Sequence, residues 1–276
     1  MTGAGGMLGR DVVGSARAAG HEVRGVDRAG LDVVDRDAVA SELRGFAPVA
    51  VVNCAAYTDV DGAESDPDEA TRVNADGAGT VARAAAELGA AVVYPSSDYV
   101  FDGTGAEPYL ESDEPRPRSR YAQSKLAGEQ RTAAANERHH VVRSAWLFGT
   151  GGRNFVETML RLAAERGEVA VVDDQVGSPT YTAHLADGIV RLLSTSAYGV
   201  HHMAAAGQCS WYEFAREIFR QAGIECRVAA RTTEEFGRRA PRPPFSVLRS
   251  ERHDSIDLPA WQSGLAAYLD ERAATA

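Results

Sequence analysis

Met1-Thr2-Gly3-Ala4-Gly5-Gly6-Met7-Leu8-Gly9 places glycines at positions 3, 6 and 9 and runs straight into a helical pattern with Leu8, Val12, Val13 and Ala16 on one face. Glycines at this spacing ahead of a helix let backbone amides approach a pyrophosphate and aim the positive end of the helix dipole at it. A glycine-rich tail has the same local look, and the residues downstream decide between the two. Residues 22–26 read as a short strand ending at Asp27, 18 positions beyond Gly9, where a dinucleotide-binding fold places an acid on the adenosine ribose. Arg28 comes next. Asp27 favours the 2′-hydroxyl of NAD, Arg28 accommodates the 2′-phosphate of NADP, and both also suit a plain turn, so the choice between NADH and NADPH stays open.

Such a fold needs an apolar strand before the glycine turn, and only Met1 and Thr2 precede it here. That strand is central, so omitting it leaves the edges of both neighbours without hydrogen-bond partners. The expectation is that the first strand is truncated and that the natural protein starts upstream of a misassigned Met1. Intact mass checks this: a stably folded native chain beginning at Met1 contradicts it.

Downstream, strand and helix patterns alternate, which predicts an α/β, Rossmann-like, doubly wound parallel sheet. Leu31 to Asp35 reads as a short strand, with Asp35 capping a helix to Phe46. Val49 to Ala56 is apolar except for Asn53 and reads as a buried parallel strand. Its end, Ala55-Ala56-Tyr57-Thr58, falls at the carboxyl edge, where open α/β sheets bind ligands. Asp66-Pro67 introduces a helix from Asp68 to Leu88 in which Asn74 points inward, either as a packing hydrogen bond or as a relay. Ala91 to Tyr94 reads as a strand running into Pro95-Ser96-Ser97-Asp98, and a hydroxyl at Ser97 can donate to a substrate carbonyl.

Ser119-Arg120-Tyr121-Ala122-Gln123-Ser124-Lys125 then opens a helix that sets Tyr121 and Lys125 on one face, four residues apart. A free phenol has a pKa of about 10. An ammonium about 4 Å away at an effective dielectric near 20 contributes on the order of 4 kcal/mol, enough to lower it by roughly three units. Ser97, Tyr121 and Lys125 thus form a set suited to protonating a carbonyl oxygen as it gains a hydride.

Val141 to Gly149 reads as a further strand, and the alternation loosens beyond it. Residues 1–150 are expected to form the NAD(P)-binding domain. Residues 151–276 are expected to form mainly a smaller substrate-binding lobe, partly interleaved with the first. Within that lobe, Asn154 to Arg166 reads as a helix, Val169 to Val172 as a strand, Thr182 as the cap of a helix to Leu193, and Ser210-Trp211-Tyr212-Glu213 as a capping box. Arg238, Arg239 and Arg242 are either a solvated basic loop or a clamp on a substrate diphosphate. His139-His140 and His201-His202 show no metal-ligand spacing and read as structural, so no metal site is expected.

A chain of 276 residues with a formal charge of -10 should repel nucleic acid and anionic membrane. Its three cysteines, Cys54, Cys209 and Cys226, are widely spaced and fit a reduced cytoplasmic protein. No apolar run is long enough to span a bilayer.

The chain resembles the extended short-chain dehydrogenase/reductase superfamily and, within it, the dTDP-4-dehydrorhamnose reductase family, from Gly3 almost to the C-terminus. The resemblance is carried by TGAGGMLGR, LDVVD, VNCAAYTDVDGAE, SSDYVFDG, YAQSKLAGE, VRSAWLFG, VDDQVGSPTY, RPPFSVL and LPAWQSGL. It implies NAD(P)H-dependent reduction of the C4 ketone of dTDP-4-dehydro-L-rhamnose, with Ser97, Tyr121 and Lys125 catalytic. It implies Gly3, Gly5, Gly6 and Met7 on the pyrophosphate, and Asp27, Arg28, Asp32, Val33, Ala55, Ala56 and Tyr57 along the rest of the cofactor, with Tyr121 and Lys125 also touching it. It further implies Ser97, Asp98, Tyr99 and Trp146 on the sugar, and Gln175, Thr180 and Arg242 toward the nucleotide. Ser97 stands where many relatives carry Thr, which keeps the hydroxyl. Some relatives bind magnesium at a dimer contact through acidic residues, and no equivalent set is identifiable here. The expectation is a monomer or homodimer.

Other functions fit parts of the same pattern. Related dehydratases and epimerases look to an Asp-Glu pair after the hydroxyl residue, whereas Asp98 is followed by Tyr99. A 4-ketoreductase for another dTDP-deoxysugar fits the same motifs. A non-catalytic regulatory partner of methionine adenosyltransferase has the same fold.

Overall fold

The computed structural model describes residues 1–275. Its organising layer is a parallel sheet of valine-rich strands, β1 (Ala50–Val52), β2 (Ala91–Ser97) and β3 (His139–Ser144), followed by Gly199–His202, in that spatial order. Registers such as Val52 with Val93 and Ser97 with Ser144 are all parallel. Successive side chains point to opposite faces. Val93 and Val142 therefore pack with Leu8 and Val12 of helix α1 (Met7–Ala18) and with Leu185 and Ile189 of the helix Thr182–Leu193. Val51 and Val92 pack on the other side with Val39 and Leu43 of helix α2 (Arg36–Phe46) and with Val81 and Ala85 of the helix Ala78–Glu87. Helices on both faces of a parallel sheet make this the expected doubly wound, Rossmann-like fold.

At the expected first strand, Thr2 alone takes the central ladder position, bridging Val26 on one side and Asn53 on the other. Thr2 N donates to Val52 O at 3.1 Å and Val26 N donates to Met1 O at 2.9 Å. Residues 22–25 lie in no ladder, and Leu31 to Asp35 turns at Val33 and Val34, so neither stretch is the strand the pattern predicts. The reason is local: only one residue of ladder lies beside Val26, and the Asp32 carboxylate accepts from Val34 N at 3.1 Å and curls that segment. A groove of about 340 Å³ lined by Val12, Val23, Leu43, Phe46 and Val51 runs alongside.

Other expectations shift in detail. The helix from Asp68 is continuous to Glu87 but contains a π-helical segment, Arg72–Gly77, centred on Asn74. The strand expected from Val141 to Gly149 breaks at Trp146, which is left-handed at φ 48°; Leu147–Phe148 then pairs separately with Thr180–Tyr181. Thr182 does not cap its helix: it is the first helical residue, and its hydroxyl donates to Phe148 O at 3.2 Å. The capping box at Ser210 and Glu213 is present. A second core gathers Phe148, Val156, Phe214, Ile218 and Leu265, flanked by the parallel pair Glu168–Val172 and Arg227–Arg231. The strand Gly199–His202 and the helix Thr182–Leu193 return to the central sheet, so the C-terminal half is woven into the first.

Candidate active site at the carboxyl edge of the sheet

β2 ends at Ser97, which places its hydroxyl at the carboxyl edge. Ser97 Oγ accepts from Tyr99 N at 3.1 Å and donates to Asp98 Oδ1 at 3.0 Å. Facing it is the helix Arg120–Ala135, started by the Ser119 cap on Ala122 N and by Glu64, which accepts from Arg120 N at 2.8 Å. Asn74 settles how this helix is held. Its amide exchanges hydrogen bonds with Tyr57 N and Tyr57 O at 2.8 and 3.0 Å and donates to Ser124 Oγ at 2.9 Å. Ser124 Oγ in turn donates to Tyr121 O at 2.7 Å. The π-helical turn thus tethers the Tyr57 loop to the helix that carries Tyr121.

Tyr121 lies edge-on to Tyr99, with ring centroids 6.3 Å apart. Burial pushes its phenol up to about 12; the charge of Asp98 adds to this, and the Ser97 hydroxyl opposes it. This corrects the expectation that Lys125 acidifies it. The Lys125 ammonium instead donates to Pro95 O at 2.7 Å and sits 4.2 Å over the Tyr94 ring, and burial lowers its pKa to about 8. One turn further along, Glu129 pairs with Arg143 and accepts from Ser96 Oγ at 2.5 Å, a buried base under the site that the sequence reading did not single out. Its signal was present: Glu129 lies four residues beyond Lys125, at helical spacing within YAQSKLAGE.

The glycine turn meets the conditions for a pyrophosphate cradle. Gly3 has φ +65°, and a Cβ there would lie 2.5 Å from Ala55 N; a Cβ on Gly9 would lie 2.1 Å from Gly3 O. Both close approaches require glycine. Helix α1 is preceded by Gly6, which supplies no side-chain cap, and has no acid in its first turn; the Gly6 amide closes the turn on Gly3 O, which leaves the first helical amides and the dipole available to an anion. Met7 lies under Gly152, where a Cβ would come 2.5 Å from its Cγ. A Cβ on Gly5 would stand 3.5 Å from Asp27 Cβ. Asp27 Oδ1 accepts from Ala29 N at 3.0 Å and from Gly30 N at 3.2 Å, so it holds the turn as well as facing the glycines. The exposed Arg28 lies 3.6 Å from Glu69, and Arg72 bridges Glu69 and Asp32. Val33 packs against Gly77, Ala55 N lies beside Gly3, and Tyr57 N is held by Asn74.

On the opposite side, Trp146 stacks on Trp211 with centroids 3.5 Å apart and planes 5° from parallel. Trp211 Nε1 donates to Gln175 Oε1 at 3.2 Å, and Gln175 Nε2 donates to Thr233 Oγ1 at 2.8 Å. Both ends of the Gln175 amide are therefore engaged within the protein. The fully buried Thr180 donates to Ser178 O at 3.0 Å and accepts from Ala205 N at 3.0 Å, so its hydroxyl is engaged within the lobe. Arg242 forks onto Asp61 at 3.1 and 2.9 Å and also touches the Tyr99 hydroxyl, so of the three arginines it is the one drawn into the site. Arg238 and Arg239 stay exposed, near Asp61 and Ser65. Trp211 and Asp61 were missed; a helix-opening aromatic and a loop acid carry no distinctive spacing of their own. Among the described residues no group of three His, Cys, Asp or Glu side chains could hold a metal ion, and no helix is long and apolar enough to cross a membrane.

Known proteins share this fold. Over residues 1–274 the chain matches the family described as RmlD substrate binding domain. It is 43% identical over 279 residues to the dTDP-4-dehydrorhamnose reductase of Mycobacterium tuberculosis, covering 98% of this chain and 91% of that protein. A dTDP-4-dehydrorhamnose reductase from Clostridium acetobutylicum superposes with a TM-score of 0.96 at 42% identity, covering 99% of this chain and 98% of the other. One from Bacillus anthracis, solved in complex with NADP, gives a TM-score of 0.95 at 40% identity, covering 98% and 97% of the two chains.

Proposed function

The chain belongs to the RmlD substrate binding domain family, and on that footing we propose that it reduces the C4 ketone of dTDP-4-dehydro-L-rhamnose to dTDP-L-rhamnose with NADPH or NADH. Relatives about 40% identical over nearly the whole chain carry this activity in their names, and one of them binds NADP. The observation that carries the reading is the convergence of Ser97, Tyr121 and Lys125 at the end of β2, one edge away from a glycine turn that fits a dinucleotide.

Gly3, Gly5, Gly6 and Met7 would hold the pyrophosphate. Asp27, Arg28, Asp32, Val33, Ala55, Ala56 and Tyr57 would line the adenosine and ribose path. Bound there, the reduced nicotinamide supplies the hydride. Tyr121 delivers the proton to the ketone oxygen. Because burial raises it to about 12, the phenol is fully protonated at neutral pH, yet it remains a stronger acid than the secondary alcohol being formed. The Ser97 hydroxyl polarises the same oxygen. Lys125, held by Pro95 O, would present its ammonium to the cofactor ribose and the reacting centre. Tyr99 and Trp146 would flank the sugar. Arg242 would exchange the Asp61 carboxylate for the substrate diphosphate, a trade of one bidentate anion for another. Residues 151–276 would supply most of the substrate side, and three unpaired cysteines suit a cytoplasmic setting.

The test is to mix protein, NADPH and the dTDP-keto-sugar, follow nicotinamide absorbance, and identify the product by NMR. Stoichiometric NADPH oxidation with dTDP-L-rhamnose as product supports the reading. A different C4 epimer or deoxysugar redirects it to a sister reductase. No turnover by a folded, cofactor-binding protein favours the regulatory role.

A further inference from the structure

Ser97 carries one hydroxyl proton, and the structure commits it to Asp98 Oδ1 at 3.0 Å, while its oxygen already accepts from Tyr99 N. The Tyr121 phenol also lies within hydrogen-bond reach of Ser97, so with its proton on Asp98 the serine can offer a ketone oxygen only its lone pairs and no proton. Asp98 is itself unusual: it is 2% exposed, and its second oxygen, Oδ2, has no hydrogen-bond partner. The Ser246 hydroxyl, from the segment paired with Val176, makes no close hydrogen bond of its own but faces the Asp98 carboxyl and favours its charged form. The groups facing the carboxyl group are neutral: Ser97 on β2, the Tyr99 backbone amide and phenol, Tyr121 on the facing helix and Ser246. The two cations of the site are engaged elsewhere, Arg242 on Asp61 and Lys125 on Pro95 O. A carboxylate enclosed without a counter-charge favours its neutral form, and burial pushes Asp98 up to about 7.

We propose that Asp98 is a positioning residue that works as the neutral acid: protonation reverses the Ser97–Asp98 hydrogen bond, so that Asp98 donates to Ser97 Oγ and the Ser97 proton turns to the substrate oxygen. The proposal rests on the reading of Ser97 as the ketone's hydrogen-bond donor. The switch takes up one proton from solvent on the Asp98 carboxylate. Asp98 keeps its proton throughout, Tyr121 alone gives one up, and the carbon gains the hydride. Ionised Asp98 leaves Ser97 facing the wrong way, so the reduction loses one of its two oxygen contacts as pH rises.

The experiment is the pH profile of kcat/KM between about pH 5.5 and 9 for the wild type, Asp98→Asn, Ser246→Ala and Ser97→Ala, with NADPH and the keto-sugar. The wild type should fall through an inflection near 7, separate from any later limb due to Lys125. Asp98→Asn, whose amide donates to Ser97 at every pH, should lose that inflection, so its rate relative to wild type climbs up to about tenfold per pH unit above it. Ser246→Ala removes a hydroxyl that steadies the carboxylate and should move the inflection to higher pH, a readout that leaves Asp98 itself in place. Ser97→Ala should be slower and should also lose the inflection. Persistence of the inflection in Asp98→Asn or in Ser97→Ala overturns the proposal, as does an unmoved inflection in Ser246→Ala. None of these outcomes alters the product, so the reaction assignment stands or falls separately on product identity.

Discussion

Arg143 and Glu129 form a two-point ion pair sealed beneath the helix that carries Tyr121 and Lys125, with Nη2 to Oε2 at 2.7 Å, Nε to Oε1 at 3.0 Å, and side chains only 4% and 5% exposed. Removing one partner strands the other charge in a low-dielectric interior. Glu129→Gln should therefore cost about 3–5 kcal/mol in urea unfolding, whereas Glu42→Gln, which breaks the exposed pair with Arg24, should cost less than about 1 kcal/mol. Equal effects would show that the buried pair holds little.

Tyr121→Phe removes the proton donor and, with it, the phenol's contact with the Ser97 hydroxyl, while keeping the ring and its edge-on packing with Tyr99. Turnover should drop by about 100-fold to 10,000-fold. The dissociation constant for NADPH, read by fluorescence titration, should stay within about twofold. A Phe variant with near-normal turnover would remove Tyr121 from its role.

Lys125 trades stability for chemistry. Its pKa is about 8 in the folded protein against an ordinary 10.5, so the native state binds fewer protons than the unfolded chain between these values. Its contribution to stability therefore rises as pH climbs from 8 to 10.5 and is at its lowest below 8. Lys125→Met should abolish activity yet stabilise the protein at pH 7 by up to about 3 kcal/mol, with the gain shrinking toward pH 10.5. A variant that is less stable at pH 7, or a gain that grows with pH, would contradict this balance.

Gly3 combines a left-handed backbone with a contact no side chain tolerates, since its Cβ would sit 2.5 Å from Ala55 N. Gly3→Ala should lower stability by about 1–3 kcal/mol and weaken NADPH binding at least tenfold. Gly14→Ala, on the helix that the turn opens, meets open space and should leave both nearly unchanged. Similar binding by the two variants would remove the glycine turn from the cofactor site.

The Trp146–Trp211 stack holds a left-handed tryptophan in place from the opposite wall. Trp211→Ala should erase the near-ultraviolet exciton signal of the pair and raise KM for the sugar about tenfold, with KM for NADPH unchanged; Trp211→Phe should keep most of the affinity. A lost exciton signal with unchanged KM would mean that Trp146 does not touch the sugar.

Much of this architecture was readable from residue pattern. The valine runs at 51–52, 92–93 and 141–142 announced strands buried on both faces, and Asp35, Ser119 and Ser210 marked helix starts that the structure keeps. What pattern could not supply depended on partners distant in the chain. The segments 22–26 and 31–35 have strand-like residues but too little ladder beside them, and Trp146 interrupts an apolar run at a left-handed residue stacked on Trp211. In the site, Ser97, Tyr121 and Lys125 were nameable from type and spacing. The i to i+4 spacing could not show that Lys125 reaches back to Pro95 O and leaves Tyr121 to be set by burial, nor that Thr180 turns its hydroxyl into the lobe.

A crystal structure with NADP bound tests the central claim most directly. The pyrophosphate should rest on the glycine turn, at the amides of Gly5 and Met7, and the nicotinamide ring against the Tyr121 hydroxyl, with Lys125 on its ribose. A nicotinamide ring turned away from Tyr121, or a cofactor seated anywhere other than the glycine turn, would contradict it.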